Sequence, residues 1–403
     1  MILKIAFRNV FRQRRRTILT ALSMFGGFVL STFFIGWSDG TYNNIIDTFT
    51  RYSLGHIQVH EKDYLDRPSL YKTVNNLPQL EKILQDTEKV DSWTPRLFGA
   101  GLVSVKDKSA GTRIIGIDPQ KEVKTTKFDE KIIEGRMLSG PAHEALLGKG
   151  LAKILKAGLD DEIVVLSQGA DGSIANDLYK IVGIVDSGDE IGDRASFYLH
   201  LQDAQELLVL EGRVHEIAIT TASLNHVSRV SEALREKIAD PGLEVAPWQV
   251  FARSFYVAMN ADKEGMWIML VIIIMVVAVG VLNTVLMSVL ERRREYGVLK
   301  AVGTKPAQIV KMVLTEVNIL AVICIICGAG VGLLLLYIFS IHGYSLPEPI
   351  TYGGMKFQHM MAEINARSFY IPAVTVLLVS TLVSLVPAFK AARTDPAKSM
   401  RTH

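Results

Sequence analysis

The chain has 403 residues, 49% hydrophobic and 21% charged, with a net charge of +3. That is too polar for a protein lying wholly in a membrane, yet its apolar residues fall in blocks too long for a wholly soluble one. Many of the basic residues sit at the ends of those blocks, and no basic face interleaves with aromatics, so no nucleic-acid partner is expected.

Met1 to Arg16 alternates Leu3, Phe7, Val10 and Phe11 with Lys4, Arg8, Arg12 and Arg16 at helical spacing. This pattern predicts an amphipathic helix in the headgroup layer over 1–16. Residues 17–38 form the first of four blocks free of Asp, Glu, Lys and Arg; the others are 265–290, 317–339 and 369–389. Blocks of 21 to 26 residues match the length that crosses a hydrocarbon core about 30 Å thick. The first block is too long for a cleaved leader, and bulky Phe33, Phe34 and Trp37 occupy the place of a small-residue cleavage site. Ser23, Gly27 and Ser31 give it a smooth stripe for close helix approach.

Residues 39–264 form one long segment. Thr41 to Arg51 extends the first helix, and Gly55-His56-Ile57-Gln58-Val59-His60 alternates as a strand. Two histidines on one strand face could ligate a metal, but no third ligand keeps suitable spacing, so a solvated face is expected. Further strands are predicted at 101–106, 113–117, 145–148, 162–167, 179–185, 197–201 and 216–220, and helices at 76–85, 150–157, 202–210 and 224–239. The fold class is therefore a multi-pass α-helical membrane protein of four spans with a large mixed α+β domain, divided into two lobes, between helices 1 and 2.

After the second block comes Glu291-Arg292-Arg293-Arg294-Glu295-Tyr296-Gly297-Val298-Leu299-Lys300-Ala301-Val302-Gly303. It reads as a short charged helix held against the membrane face over 291–311. Thr304 is expected to cap the next helix, with Pro306 in its first turn. The third span covers 312–339, a short loop 340–368, the fourth span 369–389 and a tail 390–403. Cys324 and Cys327 lie three residues apart in the third span, so they form no disulfide framework; Cys324, Gly328 and Gly332 make a second small-residue stripe. Asn283 and Asn318 are expected to join helices, and Glu316 to pair with Lys311. Lys and Arg number six in residues 1–16, six in 291–316 and four from 390 onward, against two in 340–368. Both termini and the 291–311 segment are therefore expected to be cytoplasmic, and 39–264 external. No phosphate loop, H-E-x-x-H or G-x-S-x-G pattern occurs; Gly148-Lys149-Gly150 reads as a turn opening a helix. No catalytic, cofactor-binding or metal site is expected, and energy has to come from another chain.

The run from Glu291 to Ile309 resembles the signature of FtsX/MacB-like (type VII, mechanotransmission) ABC transporter permeases, with Tyr296 in place of the commoner Ile or Phe. Pro387 to Arg401 resembles the family's terminal motif, with Lys398 where an acid is usual. Residues 135–152, 179–186 and 197–208 are similar to its periplasmic core domain, placing 39–264 in the periplasm. The 55–60 strand is closest to lipoprotein-releasing permeases of the Lol C/E kind. The resemblance implies a bacterial inner-membrane protein and a non-catalytic subunit. Its coupling helix, Glu291, Arg292, Arg293, Arg294, Glu295, Tyr296, Gly297, Val298, Leu299, Lys300 and Gly303, would seat in a cytoplasmic ATPase dimer that binds ATP and Mg. A second permease, the same chain or a paralogue, completes the assembly, with membrane lipids, lipoproteins and a periplasmic carrier or adaptor as further partners. Phe33, Phe34, Trp37, Met266 and Met269 would flank lateral substrate access. The alternatives are a MacB-like efflux permease for peptides, siderophores or drugs, and an FtsX-like signal transducer, against which the large ectodomain weighs.

Overall fold

The computed structural model describes residues 14–352 and 355–394. The predicted 1–16 helix and the 390–403 tail therefore lie largely outside the described residues. The chain divides into two compact units: residues 1–42, 259–346 and 359–403, and residues 43–258 with 347–358.

Four helices of the first unit are long and apolar enough to cross a membrane. They belong to α1 (Arg14–Phe49), α8 (Arg253–Glu291), α10 (Pro306–His342) and α11 (Arg367–Ala392). Each runs beyond its charge-free block, because a helix can continue past the hydrocarbon wherever water or headgroups receive its side chains. The small-residue stripes set the packing. A Cβ added at Gly328 would stand 2.7 Å from Phe28 Cδ1, and one at Gly332 would stand 2.9 Å from Thr32 Cγ2, so α10 meets α1 backbone to side chain. Gly280 of α8 faces Ser23 in the same way. Thr381 Oγ1 donates to Asn318 Oδ1 at 2.8 Å, joining α11 to α10, while Asn283 is exposed and joins no other helix among the described residues. Met24, Phe28, Val281, Ala321 and Cys324 occupy the resulting core.

The second unit is organised by one ten-stranded sheet. Its strands are β1 (Ile57–Glu61), β2 (Val90–Val105), β3 (Lys108–Ile117), β4 (Ile132–Gly135), β5 (Glu144–Gly148), β6 (Glu162–Gln168), β7 (Ile174–Val185), β8 (Ser196–His200), β9 (Glu216–Thr221) and β10 (Leu243–Pro247). The pairings β2-β3-β8-β5-β7-β6 return to β2, so six strands close into a ring. The first half of β2 instead pairs with β9, which continues to β1 and β10. The two expected lobes therefore share a 16-residue strand and form one sheet. Helices α2 (Leu77–Gln85), α4 (Lys149–Leu155), α5 (Leu201–Leu208), α6 (Val227–Ile238) and the four-residue α7 (Trp248–Phe251) account for the predicted helical stretches and one more. Another, α3 (Pro119–Thr126), begins where Asp118 accepts from Gln120 N and Lys121 N at 3.1 Å.

Three expectations change. The histidine face of β1 is buried, not solvated: His56 is 0% exposed, Gln58 3% and His60 1%. Burial is affordable because each polar group is met. His56 Nδ1 accepts from Thr221 N at 2.9 Å, and Gln58 Nε2 donates to the Leu54 carbonyl at 2.8 Å. The 340–368 segment is not a plain loop but carries the hairpin strands β11 (Tyr344–Tyr352) and β12 (Met355–Met360). The cap of α10 is Lys305, not Thr304, with Pro306 at its first position and Gln308 Oε1 accepting from Lys305 N at 2.9 Å.

Candidate functional site

At the end of α8 the chain breaks at Arg292 and restarts as α9 (Arg293–Ala301). This helix is shorter than the predicted 291–311 segment, since α10 already begins at Pro306. Gly303, at φ +99°, makes the turn between them, a conformation most side chains avoid.

The two faces of α9 differ. Tyr296 is 1% exposed and belongs to the core of the membrane unit with Val289, Ile309 and Val313; Gly297 is buried beside it. Burial pushes the Tyr296 phenol up from its usual range, so it stays neutral. Arg292 stands over the Tyr296 ring at 5.3 Å. It donates from Nε to Glu295 at 3.0 Å and from Nη1 to Glu316 at 2.8 Å, so the partner of Glu316 is Arg292 and not Lys311. Burial disfavours the guanidinium charge, but Glu316, Tyr296 and Glu295 together outweigh it and keep Arg292 protonated. Lys300 Nζ donates to the carbonyls of Ala392 and Thr394 at 3.0 and 2.9 Å, tying α9 to the end of α11. Both links were hidden in the sequence, where the partners lie 24 and more than 90 residues away.

The outward face carries Arg293, Arg294, Val298, Leu299 and Val302. Val302 is 82% exposed. Glu291, the last residue of α8, is exposed as well. Of the predicted segment, Arg292, Tyr296, Gly297 and Lys300 thus anchor the helix, while Arg293, Arg294, Val298 and Leu299 are presented, and Gly303 ends it. Anchoring by Arg292 and exposure of Arg293 and Arg294 thus fall to different arginines.

The residues expected to flank substrate access do not form one group. Phe33 and Trp37 pack with Phe339 of α10 at centroid distances of 5.2 Å each. Phe34 and Met266 line a separate small pocket with Asp39, Trp267 and Arg367. Met269 is exposed on α8 and lines neither.

In the second unit a cavity of about 270 Å³ is lined by Arg96, Phe98, Glu122, Phe128, Lys131 and Glu216, among others. Arg96 bridges Glu122 at 2.5 Å and Glu216 at 3.1 Å, and Thr94 Oγ1 donates to Glu122 at 2.9 Å. Burial alone would raise the Glu122 pKa, but Arg96 and the threonines hold it below the usual range. Burial pushes Lys131 down to about 8. The described residues hold no group of three metal-ligating side chains.

Residues 17–237 match the family of the MacB-like periplasmic core domain, and residues 267–396 the FtsX-like permease C-terminal region. A lipoprotein-releasing system transmembrane protein LolC of Neisseria meningitidis serogroup B is 23% identical over 322 residues, covering 76% of this chain and 77% of that one. An uncharacterized ABC transporter permease of Methanocaldococcus jannaschii is 26% identical over 413 residues, covering 99% and 97%. A macrolide export ATP-binding/permease protein MacB 2 of Aeromonas hydrophila is 23% identical and covers 98% of this chain, which spans 60% of that protein. With four spanning helices, a mixed α/β domain between the first two and a family match over more than half its length, this chain belongs to the permeases that join a MacB-like periplasmic core domain to an FtsX-like C-terminal region.

Proposed function

We propose that the chain is the permease subunit of an ABC transporter that takes its energy from a separate cytoplasmic ATPase dimer through α9. The observation that carries this reading is the division of α9 into a buried anchoring face, Tyr296 and Arg292, and an exposed face, Val298, Leu299 and Val302. A helix fixed to the membrane helices on one side and presenting basic and apolar side chains on the other can pass a push or a pull. ATP and Mg belong to the partner; this chain supplies neither nucleotide site nor catalysis. Both termini and α9 face the cytoplasm, and the core domain faces the periplasm of a bacterial inner membrane. A second permease subunit, the same chain or a paralogue, sits on the other ATPase. ATP biases the permease only if its two states fit the ATPase differently.

The preferred substrate class is lipoprotein, taken from the membrane and passed to a periplasmic carrier, in keeping with the LolC relatives. Efflux through an adaptor is the second reading, favoured by the alignment with MacB proteins along nearly the whole chain. Affinity capture of the full chain in mild detergent, with mass spectrometry of what comes with it, tests the proposal. Wild type should bring down an ATPase, and a Val298→Asp, Val302→Asp variant of unchanged melting temperature should lose it. Capture of no ATPase by wild type, or equal capture by the variant, refutes coupling through α9. A lipoprotein or an adaptor in the same eluate decides between the two substrate readings.

A further inference from the structure

The ends of α8 and α11 enclose a cleft of about 410 Å³, within the size range of ligand sites. Its wall changes character within one helical turn. Leu290, Val386 and Phe389 belong to the last turns of the charge-free blocks and are 42%, 65% and 53% exposed. Arg293, Lys390 and Arg393 follow directly and face the same cleft. Among the described residues none of these three cations has an ion-pair partner, since Glu295 and Glu316 are both engaged by Arg292.

A helix C-terminus ordinarily repels anions, because its last carbonyls point outward unbonded. Here Lys300 donates to the carbonyls of Ala392 and Thr394, which offsets the negative end of α11 beside the cleft. Apolar surface at bilayer depth, with cations one turn beyond it that have no ion-pair partner among the described residues, matches a molecule that is apolar at one end and anionic at the other. Basic pockets at helix ends bind anionic head groups in this way.

We infer that this cleft binds an anionic phospholipid, with the phosphate among Arg293, Lys390 and Arg393 and the acyl chains along Leu290, Val386 and Phe389. A soluble protein could reach the cations, but it could not occupy the apolar half of the wall, which lies in the spans. The inference goes beyond the transporter reading and does not require it. Bound lipid would bridge Arg293 of α9 to Lys390 and Arg393 at the end of α11.

The test is native mass spectrometry of the full chain in detergent with equal phosphatidylglycerol and phosphatidylcholine. Wild type should retain phosphatidylglycerol about tenfold more than phosphatidylcholine, and an excess of inorganic phosphate should not displace it. The Arg293→Gln, Lys390→Gln, Arg393→Gln variant should hold both lipids equally, as should the milder Lys390→Glu variant if the triple variant does not fold. Equal retention of the two lipids by wild type overturns the site, as does undiminished preference in the variants. Displacement by inorganic phosphate would make it a free-phosphate site. Loss of ATPase capture by the variants with lipid preference intact would assign these cations to protein docking instead.

Discussion

His215 is a residue whose protonation state is fixed by its neighbours. Its Nδ1 accepts from the Phe98 backbone N–H at 3.0 Å and its Nε2 bonds the Leu70 carbonyl at 3.1 Å. A proton on Nδ1 would set two donors against each other inside the domain. Burial lowers the His215 pKa, the Leu70 contact opposes that shift, and His60 adds to it. The unfolded chain takes up this proton near the ordinary value of 6.5, and the folded chain only at lower pH. Protons therefore favour the unfolded state, and stability falls as pH drops through 6.5 and below. The melting temperature of the core domain is expected to fall between pH 7.5 and 5.5, and His215→Asn, whose Oδ1 can replace Nδ1 as acceptor, should flatten that dependence. An unchanged slope in the variant would put the titrating group elsewhere. In the sequence, alternation placed His56, Gln58 and His60 on one face correctly, but no pattern tells a wet face from one where His56 meets Thr221 and His60 stacks on Tyr64. Burial of polar groups depends on distant partners such as Thr221, which local periodicity does not report.

The elements were legible in proportion to how uniform their surroundings are. A lipid environment imposes one rule on some 20 successive residues, so all four spans stood out as charge-free blocks. The strands at 113–117, 145–148, 162–167, 179–185, 197–201 and 216–220 were visible through their apolar and β-branched content. The first half of β2 was not, because Trp93-Thr94-Pro95-Arg96 mixes a proline and a charge that only Glu122 and Glu216 neutralise. Likewise α3 is polar along most of its length, and its Asp118 cap is the main local signal. The small-residue stripe of α10 supports a sharp comparison. Gly328 leaves no room beside Phe28, whereas a Cβ at Gly330 meets nothing within 4 Å. Gly328→Val should destabilise the membrane helices by about 1–3 kcal/mol, the usual cost of overpacking, and Gly330→Val should be nearly silent. Circular dichroism melts in detergent distinguish the two; equal effects would mean that α1 does not pack here.

For the molecule as a whole, two compact units with separate cores predict two unfolding transitions. Arg96→Met strands the buried Glu122 and Glu216 charges, which costs about 3–5 kcal/mol, and should lower only the transition of the core domain. Gly328→Val should lower only the other, and the double variant should show both shifts unchanged. A single transition displaced by either substitution, in scanning calorimetry of the full chain, would show that the units unfold together. The segment proposed to couple to an ATPase was readable because it is continuous in sequence. Its anchoring was not, since Glu316 and the carbonyls of Ala392 and Thr394 reach it only in the folded protein.

The ten-stranded sheet has a property that follows from its closed ring. Eight of its ten strands have neighbours on both sides, so among the described residues the path ends at β4 and β10. An open sheet of this size would offer long unpaired backbone to other copies of itself, the usual route to strand-by-strand aggregation. Here one end is a four-residue strand and the other a five-residue strand finishing in Pro247, which has no N–H to offer. A domain built around a 16-residue strand thus presents almost nothing on which a stray strand could grow, a useful trait for a protein that must be made beside many identical copies.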